Sequence, residues 1–167
     1  MLNAKLRILD KLKQQFTQTT FACDGVRQEP VGVLLFGEPA SGKSQALEFI
    51  NTAFCERTLP PEMIPYFQSN PSRFMYNRQV ENKFWEGYND FHHVCTFDDF
   101  GQCNDIRGEP DNEYFNVIRA INEFNYTLHM AEISAKVNTT FKSKLVTAST
   151  NRRVFTPESI VSAKPLS

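Results

Sequence analysis

No stretch of the 167 residues approaches the ~18 consecutive apolar side chains that a membrane-crossing helix needs. No signal peptide is visible at the N-terminus. Cysteine is sparse: Cys23, Cys55, Cys95 and Cys103 stand far apart, with no CxxC or CxxxxC pair. That spacing speaks against a disulfide framework or a zinc site and for reduced thiols in a cytosolic protein. An excess of positive charge is missing too, since 18 Lys and Arg face 19 Asp and Glu, a formal net charge of −1. A domain that grips nucleic acid alone is usually clearly basic, so any such contact must be local or built by several subunits together.

What the chain has in quantity is phenylalanine, 15 residues, which predicts a core or interface rich in aromatic area. The length suits one domain with a proper core. The most informative stretch is Val31–Phe54, VGVLLFGEPASGKSQALEFINTAF. An apolar run predicts a strand, apolar on both faces as in the centre of a parallel sheet. After it comes Gly37-Glu38-Pro39-Ala40-Ser41-Gly42-Lys43-Ser44, and then a segment of helical periodicity. Gly, four residues, Gly-Lys-Ser is the P-loop spacing. Gly37 and Gly42 let the backbone take dihedrals that a Cβ forbids, so successive N–H groups turn onto phosphate oxygens. Lys43 can carry its charge to the β- and γ-phosphates, Ser44 can place a hydroxyl on Mg²⁺, and the helix directs its positive end at the nucleotide. Gly37 to Gln45 is thus the candidate nucleotide-binding set, and its expected ligands are ATP or another nucleoside triphosphate and Mg²⁺.

Upstream, residues 2–16 predict an amphipathic helix with Leu2, Leu6, Leu9, Leu12 and Phe16 on one face, and Thr17–Pro30 reads as a loop. Residues 1–25 are expected to be an N-terminal helix and linker, and 26–167 the globular core. Downstream of the P-loop, Ser44–Phe54 is the first helix, with Ala46, Leu47, Phe49, Ile50, Ala53 and Phe54 toward the core. Pro60, Pro61 and Pro65 mark a connection. Pro71–Tyr76 holds a second short strand. Lys83–Tyr88 forms an aromatic-rich turn around Trp85, which either anchors that turn on the sheet or stacks on RNA bases.

His92–Phe97 is a strand running into Asp98-Asp99, with both histidines solvated. An apolar strand ending in acidic residues downstream of a P-loop is the Walker B arrangement, because strand C-termini of α/β sheets open into the ligand crevice. One carboxylate there can hold Mg²⁺ and its neighbour can polarise the attacking water. Asp111 or Asn112 can cap a helix over Glu113–Glu123, with Phe115, Ile118 and Ile121, together with Tyr114, as its buried stripe. Leu128–Phe141 suggests a hairpin carrying Lys136. Lys144–Asn151 is another strand, whose terminal Asn151 can hydrogen-bond both the γ-phosphate and the lytic water.

Taken in order, these residues resemble the superfamily 3 helicases of picorna-like positive-strand RNA viruses. The P-loop is similar to the family's motif A, and Trp85-Glu86-Gly87-Tyr88 to its acidic-Gly-Tyr element. Phe97-Asp98-Asp99-Phe100-Gly101-Gln102 resembles motif B, and Ser149-Thr150-Asn151 resembles motif C. His129-Met130-Ala131, Lys136 and Phe141-Lys142-Ser143 look like the stretch between B and C. The resemblance implies an AAA+-like P-loop NTPase fold, a three-layer α/β/α domain with a central, mostly parallel sheet. It implies Lys43 and Ser44 on phosphate and Mg²⁺, Asp98 on Mg²⁺, Asp99 activating water and Asn151 sensing the γ-phosphate. It further implies a homo-oligomeric ring, commonly a hexamer, with ATP hydrolysed at subunit boundaries and Lys136 touching RNA in the channel. Val137 stands where the family often has Gly.

The family's Arg pair is expected just beyond Ser167, so the chain reads as an excerpt that binds nucleotide but hydrolyses it weakly. The whole protein is expected in the host-cell cytoplasm, on replication membranes and with other viral replication proteins, and this fragment is expected to be soluble. The competing expectation is a nucleotide-switched replication scaffold or RNA chaperone that unwinds nothing.

Overall fold

The computed structural model describes residues 26–79, 82–102, 112–131 and 139–155. The expected N-terminal helix over residues 2–16 lies outside them, as do Cys23, Cys103 and Lys136. Four strands form one sheet: β1 (Val31–Phe36), β2 (Met75–Arg78), β3 (Val94–Phe97) and β4 (Leu145–Thr150). Their spatial order is β1-β4-β3-β2 and every pairing is parallel, so the C-terminal ends of all four open on one edge. Helix α1 spans Lys43–Thr58, α2 spans Ile64–Ser69 and α3 spans Glu113–Ile121.

Alternation along the strands assigns the layers. Val33, Val94 and Leu145 pack with Ile50, Phe54 and Cys55 of α1 and with Phe67 of α2. Cys95, Phe97, Val146 and Ala148 point the other way, onto Tyr114, Val117 and Ala120 of α3. A Cβ on Gly32 would meet Ile121 Cγ2 at 3.6 Å, which places α3 on that second face of β1 as well. The fold is therefore the expected three-layer α/β/α sandwich around a parallel sheet.

Three details refine the sequence reading. Among the described strands β1 and β2 lie at the two ends of the order, and Val31, Leu34 and Phe36 of the apolar run stay about half exposed beside the one described partner, β4. Along α1 the buried residues are Leu47, Asn51 and Cys55, while Ala46 is exposed and Phe49 is 75% exposed. In α3 the buried residues are Tyr114, Asn116, Val117 and Ala120; of the predicted stripe Tyr114 is buried, while Phe115, Ile118 and Ile121 are only partly so. Asn112 caps α3 as expected, its side chain accepting the Tyr114 amide at 2.7 Å.

Trp85 is 1% exposed. Tyr76 stacks on it, Tyr88, Phe97, Tyr126 and Phe141 meet it edge-on, and the Arg78 guanidinium lies 4.7 Å from the ring centroid. It is the core anchor, and the RNA-stacking alternative is excluded because neither ring face reaches solvent. His92 is not solvated either: it is buried against Tyr76 and Tyr88 and its Nδ1 accepts the Asn89 amide, while His93 is partly buried and bonds the Thr58 hydroxyl at 2.7 Å. Desolvation holds both pKa values below the ordinary histidine value. Among the described cysteines, Cys55 and Cys95 are free and buried, and burial pushes the Cys55 thiol up to about 12 and Cys95 up as well. Neither is a reactive thiol.

Arg27, read from sequence as part of a loop, turns out to close the α3 face. Its guanidinium donates to the carbonyls of Arg119 and Ala120 at the end of α3, and to Phe124 and Phe141, at 2.6–3.1 Å. It also lies 4.9 Å from the centroid of the Phe141 ring. A cation on the last carbonyls of a helix satisfies orphan acceptors and complements the helix dipole. Arg27→Met, which keeps the packed stem and removes the donors, is expected to cost about 2 kcal/mol. Thermal denaturation should then show a melting temperature lower by roughly 4–8 °C for a domain of this size.

Beyond α3, Thr127 bridges Thr140 in antiparallel fashion, and Leu128 N–H donates to Thr139 O at 3.0 Å. Phe141 N–H returns to Tyr126 O at 2.8 Å. These are the arms of the predicted hairpin, and its Lys136 lies outside the described residues.

Candidate active site

The site is built where three strands end. β1 stops at Phe36, and Gly37 N–H donates to Thr150 O of β4 at 3.2 Å, so the P-loop departs already tied to the neighbouring strand. Gly42 holds φ 84° as the residue before α1, a left-handed conformation suited to glycine. Gly37 does not take the left-handed backbone that the sequence suggested; a Cβ there would meet the Ser41 hydroxyl, which can rotate away, at 2.8 Å and would lie in ordinary contact with Lys43 Cδ at 3.5 Å. The second left-handed residue is Ala40, φ 61°. Glu38 through Gly42 are exposed, with Ser44 and Gln45. Ala46 N–H makes the bond back to Gly42 O, so the amides of Lys43, Ser44 and Gln45 precede the regular helical ladder and form the positive end of α1.

Lys43 joins the distant parts. Its Nζ donates to the carbonyls of Gly37 at 3.0 Å and Glu38 at 2.8 Å, and to Asn151 Oδ1 at 2.8 Å. Asn151 follows β4 directly, 108 residues away in sequence. The first and third of the sequence-predicted elements are thus in contact through side chains.

The second element, the acidic pair, sits at the end of β3 beside β4. Asp98 and Asp99 are exposed, while Phe97 and Phe100 on either side are buried and hold the turn in place. Asp99 takes φ 53°, left-handed for a non-glycine residue, which Asp tolerates better than most. Gln102 Nε2 donates to Asp99 Oδ1 at 2.9 Å, orienting that carboxylate. Ser149 Oγ donates to Asp98 Oδ1, and Thr150 Oγ1 donates to Phe100 O at 2.8 Å.

Beneath the site runs a buried polar chain that sequence reasoning missed. Asn51 Nδ2 of α1 donates to Thr96 Oγ1 of β3 at 3.0 Å, and Thr96 meets Thr147 Oγ1 of β4 at 2.9 Å. Thr96 and Thr147 are register partners, two positions before Asp98 and Ser149 respectively. A polar residue on the core-facing side of an otherwise apolar strand was the available signal.

The residues present fit a magnesium nucleotide. Magnesium is held by one or two carboxylates plus substrate phosphates, with several waters retained, rather than by an all-protein cage. No cluster of three or more His, Cys, Asp or Glu able to hold a metal occurs among the described residues. The exposed Asp98 carboxylate and Ser44 hydroxyl are the hard oxygen donors such a site uses.

A family model described as RNA helicase matches residues 33–152. The chain is 35% identical over 130 residues to the replicase polyprotein of acute bee paralysis virus (strain Rothamsted), covering 75% of this chain and 6% of that polyprotein. It is 35% identical over 112 residues to the replicase polyprotein of cricket paralysis virus, covering 67% and 6%. The genome polyprotein of human parechovirus 5 (strain CT86-6760) is 29% identical over 153 residues, covering 92% and 6%. The chain therefore spans about 6% of the length of these relatives.

Proposed function

The chain belongs to the RNA helicase family, in the superfamily 3 form carried by replicase polyproteins of picorna-like viruses, and from that premise we propose that it hydrolyses Mg-ATP to move or remodel RNA. The observation that carries this reading is the Lys43 Nζ–Asn151 Oδ1 bond at 2.8 Å, which joins the P-loop to the tip of β4 beside the acidic turn.

In this reading the backbone amides of Gly37–Ser44 and the start of α1 hold the phosphates, and Lys43 exchanges its loop carbonyls for phosphate oxygens. Ser44 and Asp98 hold the magnesium ion, which when bound neutralises charge developing on the transferred phosphoryl group. Asp99 has one oxygen engaged by Gln102, which leaves Oδ2 to accept the proton of the attacking water. Asn151 Oδ1 positions that water against the γ-phosphorus, and the bond to the bridging oxygen breaks as the new P–O bond forms. Completion of the site by an Arg of a neighbouring subunit, in a ring whose hairpins contact RNA near Lys136, belongs to the same proposal. It accords with the near-zero net charge, which leaves one domain little means of holding RNA alone.

Asp99→Asn is expected to lower ATP turnover by about 10²–10⁴-fold while nucleotide affinity stays near wild type. Single-turnover hydrolysis and equilibrium binding, in a polyprotein product that includes this chain, check both halves. Strand displacement that proceeds with ATP and not with a non-hydrolysable analogue supports translocation. Equal activity with both would favour the scaffold or chaperone reading.

A further inference from the structure

Two β4 residues fasten the acidic turn: Thr150 Oγ1 donates to Phe100 O at 2.8 Å, and Ser149 does the rest. Ser149, 1% exposed, meets three successive residues of the turn. Its Oγ donates to Asp98 Oδ1, the same Oγ accepts the Asp99 amide at 3.2 Å, and its carbonyl accepts the Phe100 amide at 2.7 Å. A serine hydroxyl has one proton to give and lone pairs to accept with, and here both capacities are spent on the acidic pair. The Asp99 amide also reaches Asp98 Oδ1 at 3.1 Å. Two protein donors thus converge on Asp98 Oδ1, while Oδ2 accepts from no described residue. The left-handed backbone of Asp99 is strained and persists only where the surroundings over-determine it. Its amide, shared between Ser149 and Asp98, supplies that constraint.

We propose that Ser149 is a positioning residue for the acidic pair. By occupying Asp98 Oδ1 it leaves Oδ2 as the oxygen available to the cation, and by holding the Asp99 amide it fixes where the second carboxylate starts. The inference rests on the reading above that Asp98 serves the magnesium ion. It assigns the hydroxyl a role separate from that of the strand, because the carbonyl bond to Phe100 survives any side-chain substitution.

The test is a Mn²⁺ titration read by electron paramagnetic resonance in the presence of ADP, which needs no turnover. Ser149→Ala is expected to weaken Mn²⁺ binding about 10-fold or more, while ADP affinity measured in EDTA stays within about twofold of wild type. Ser149→Thr, which keeps the hydroxyl, should recover most of the loss. Unchanged Mn²⁺ affinity in Ser149→Ala would overturn the inference. So would a parallel fall of Mn²⁺ and metal-free ADP affinity without rescue by Thr. If the Ala variant does not fold, Ser149→Cys is read in the same titration. Its weaker donor should raise the Mn²⁺ half-saturation several-fold, and no change would overturn the inference. Asp98→Asn separates the two levels. If it leaves Mn²⁺ binding intact, the metal reading itself fails. If it weakens binding while Ser149→Ala does not, only the role of Ser149 fails.

Discussion

Lys43→Ala should weaken ATP binding by about 100-fold, the largest loss of nucleotide affinity expected in the candidate site. That factor corresponds to about 2.7 kcal/mol, within the range for charge-assisted hydrogen bonds. The ammonium group is already drawn to the loop by Gly37 O, Glu38 O and Asn151 Oδ1. On binding, it exchanges these neutral acceptors for anionic oxygens, where each bond is stronger. Arginine should rescue poorly, because a planar fork does not fit three acceptors converging on one point. Calorimetric titration of ATP into wild type and Lys43→Ala checks the affinity. A melting temperature that barely moves checks that the loss lies in the site, since the loop is exposed and contributes little to the core. Wild-type ATP affinity in Lys43→Ala would contradict the assignment of Gly37–Ser44 as the phosphate cradle.

Trp85→Ala should destabilise the fold by about 3–5 kcal/mol, the usual cost of emptying a buried tryptophan site. Five aromatic rings and the Arg78 guanidinium line that site, and each would lose a face. Denaturant unfolding measures the effect, with Trp85→Phe losing markedly less because it refills part of the volume. RNA affinity of Trp85→Phe should match wild type, since no ring face reaches solvent. A selective loss of RNA binding without loss of stability would return the residue to the nucleic-acid interface.

The strand ends that carry the candidate site were legible in the sequence because their residue pattern is local. A P-loop must have its glycines, lysine and hydroxyl at fixed offsets, and an acidic pair must follow a buried strand directly. Strand order was not legible. The apolar run of β1 is the same whether one neighbour or two flank it, and among the described strands its one partner is β4, which leaves Leu34 and Phe36 half exposed. The orientation of α1 was misread for a related reason. Its polar Asn51 is buried because Thr96 offers a partner across the core, while the apolar Phe49 is turned to solvent. The contacts of Arg27 and Ser149 were not legible because their partners lie 50 to 114 residues away, beyond the reach of any local pattern. The left-handed dihedral expected at Gly37 is found at Gly42 and Ala40 instead.

The central claim is that Lys43, Ser44, Asp98, Asp99 and Asn151 form one magnesium-nucleotide site. The most direct test is a crystal structure with a non-hydrolysable ATP analogue and Mn²⁺, located by anomalous scattering. The account predicts Mn²⁺ between the Asp98 carboxylate and the Ser44 hydroxyl, directly or through water. It also predicts that Lys43 Nζ leaves the carbonyls of Gly37 and Glu38 for phosphate oxygens. Phosphates bound away from Gly37–Ser44, or a metal that makes no contact with the acidic turn, would contradict it.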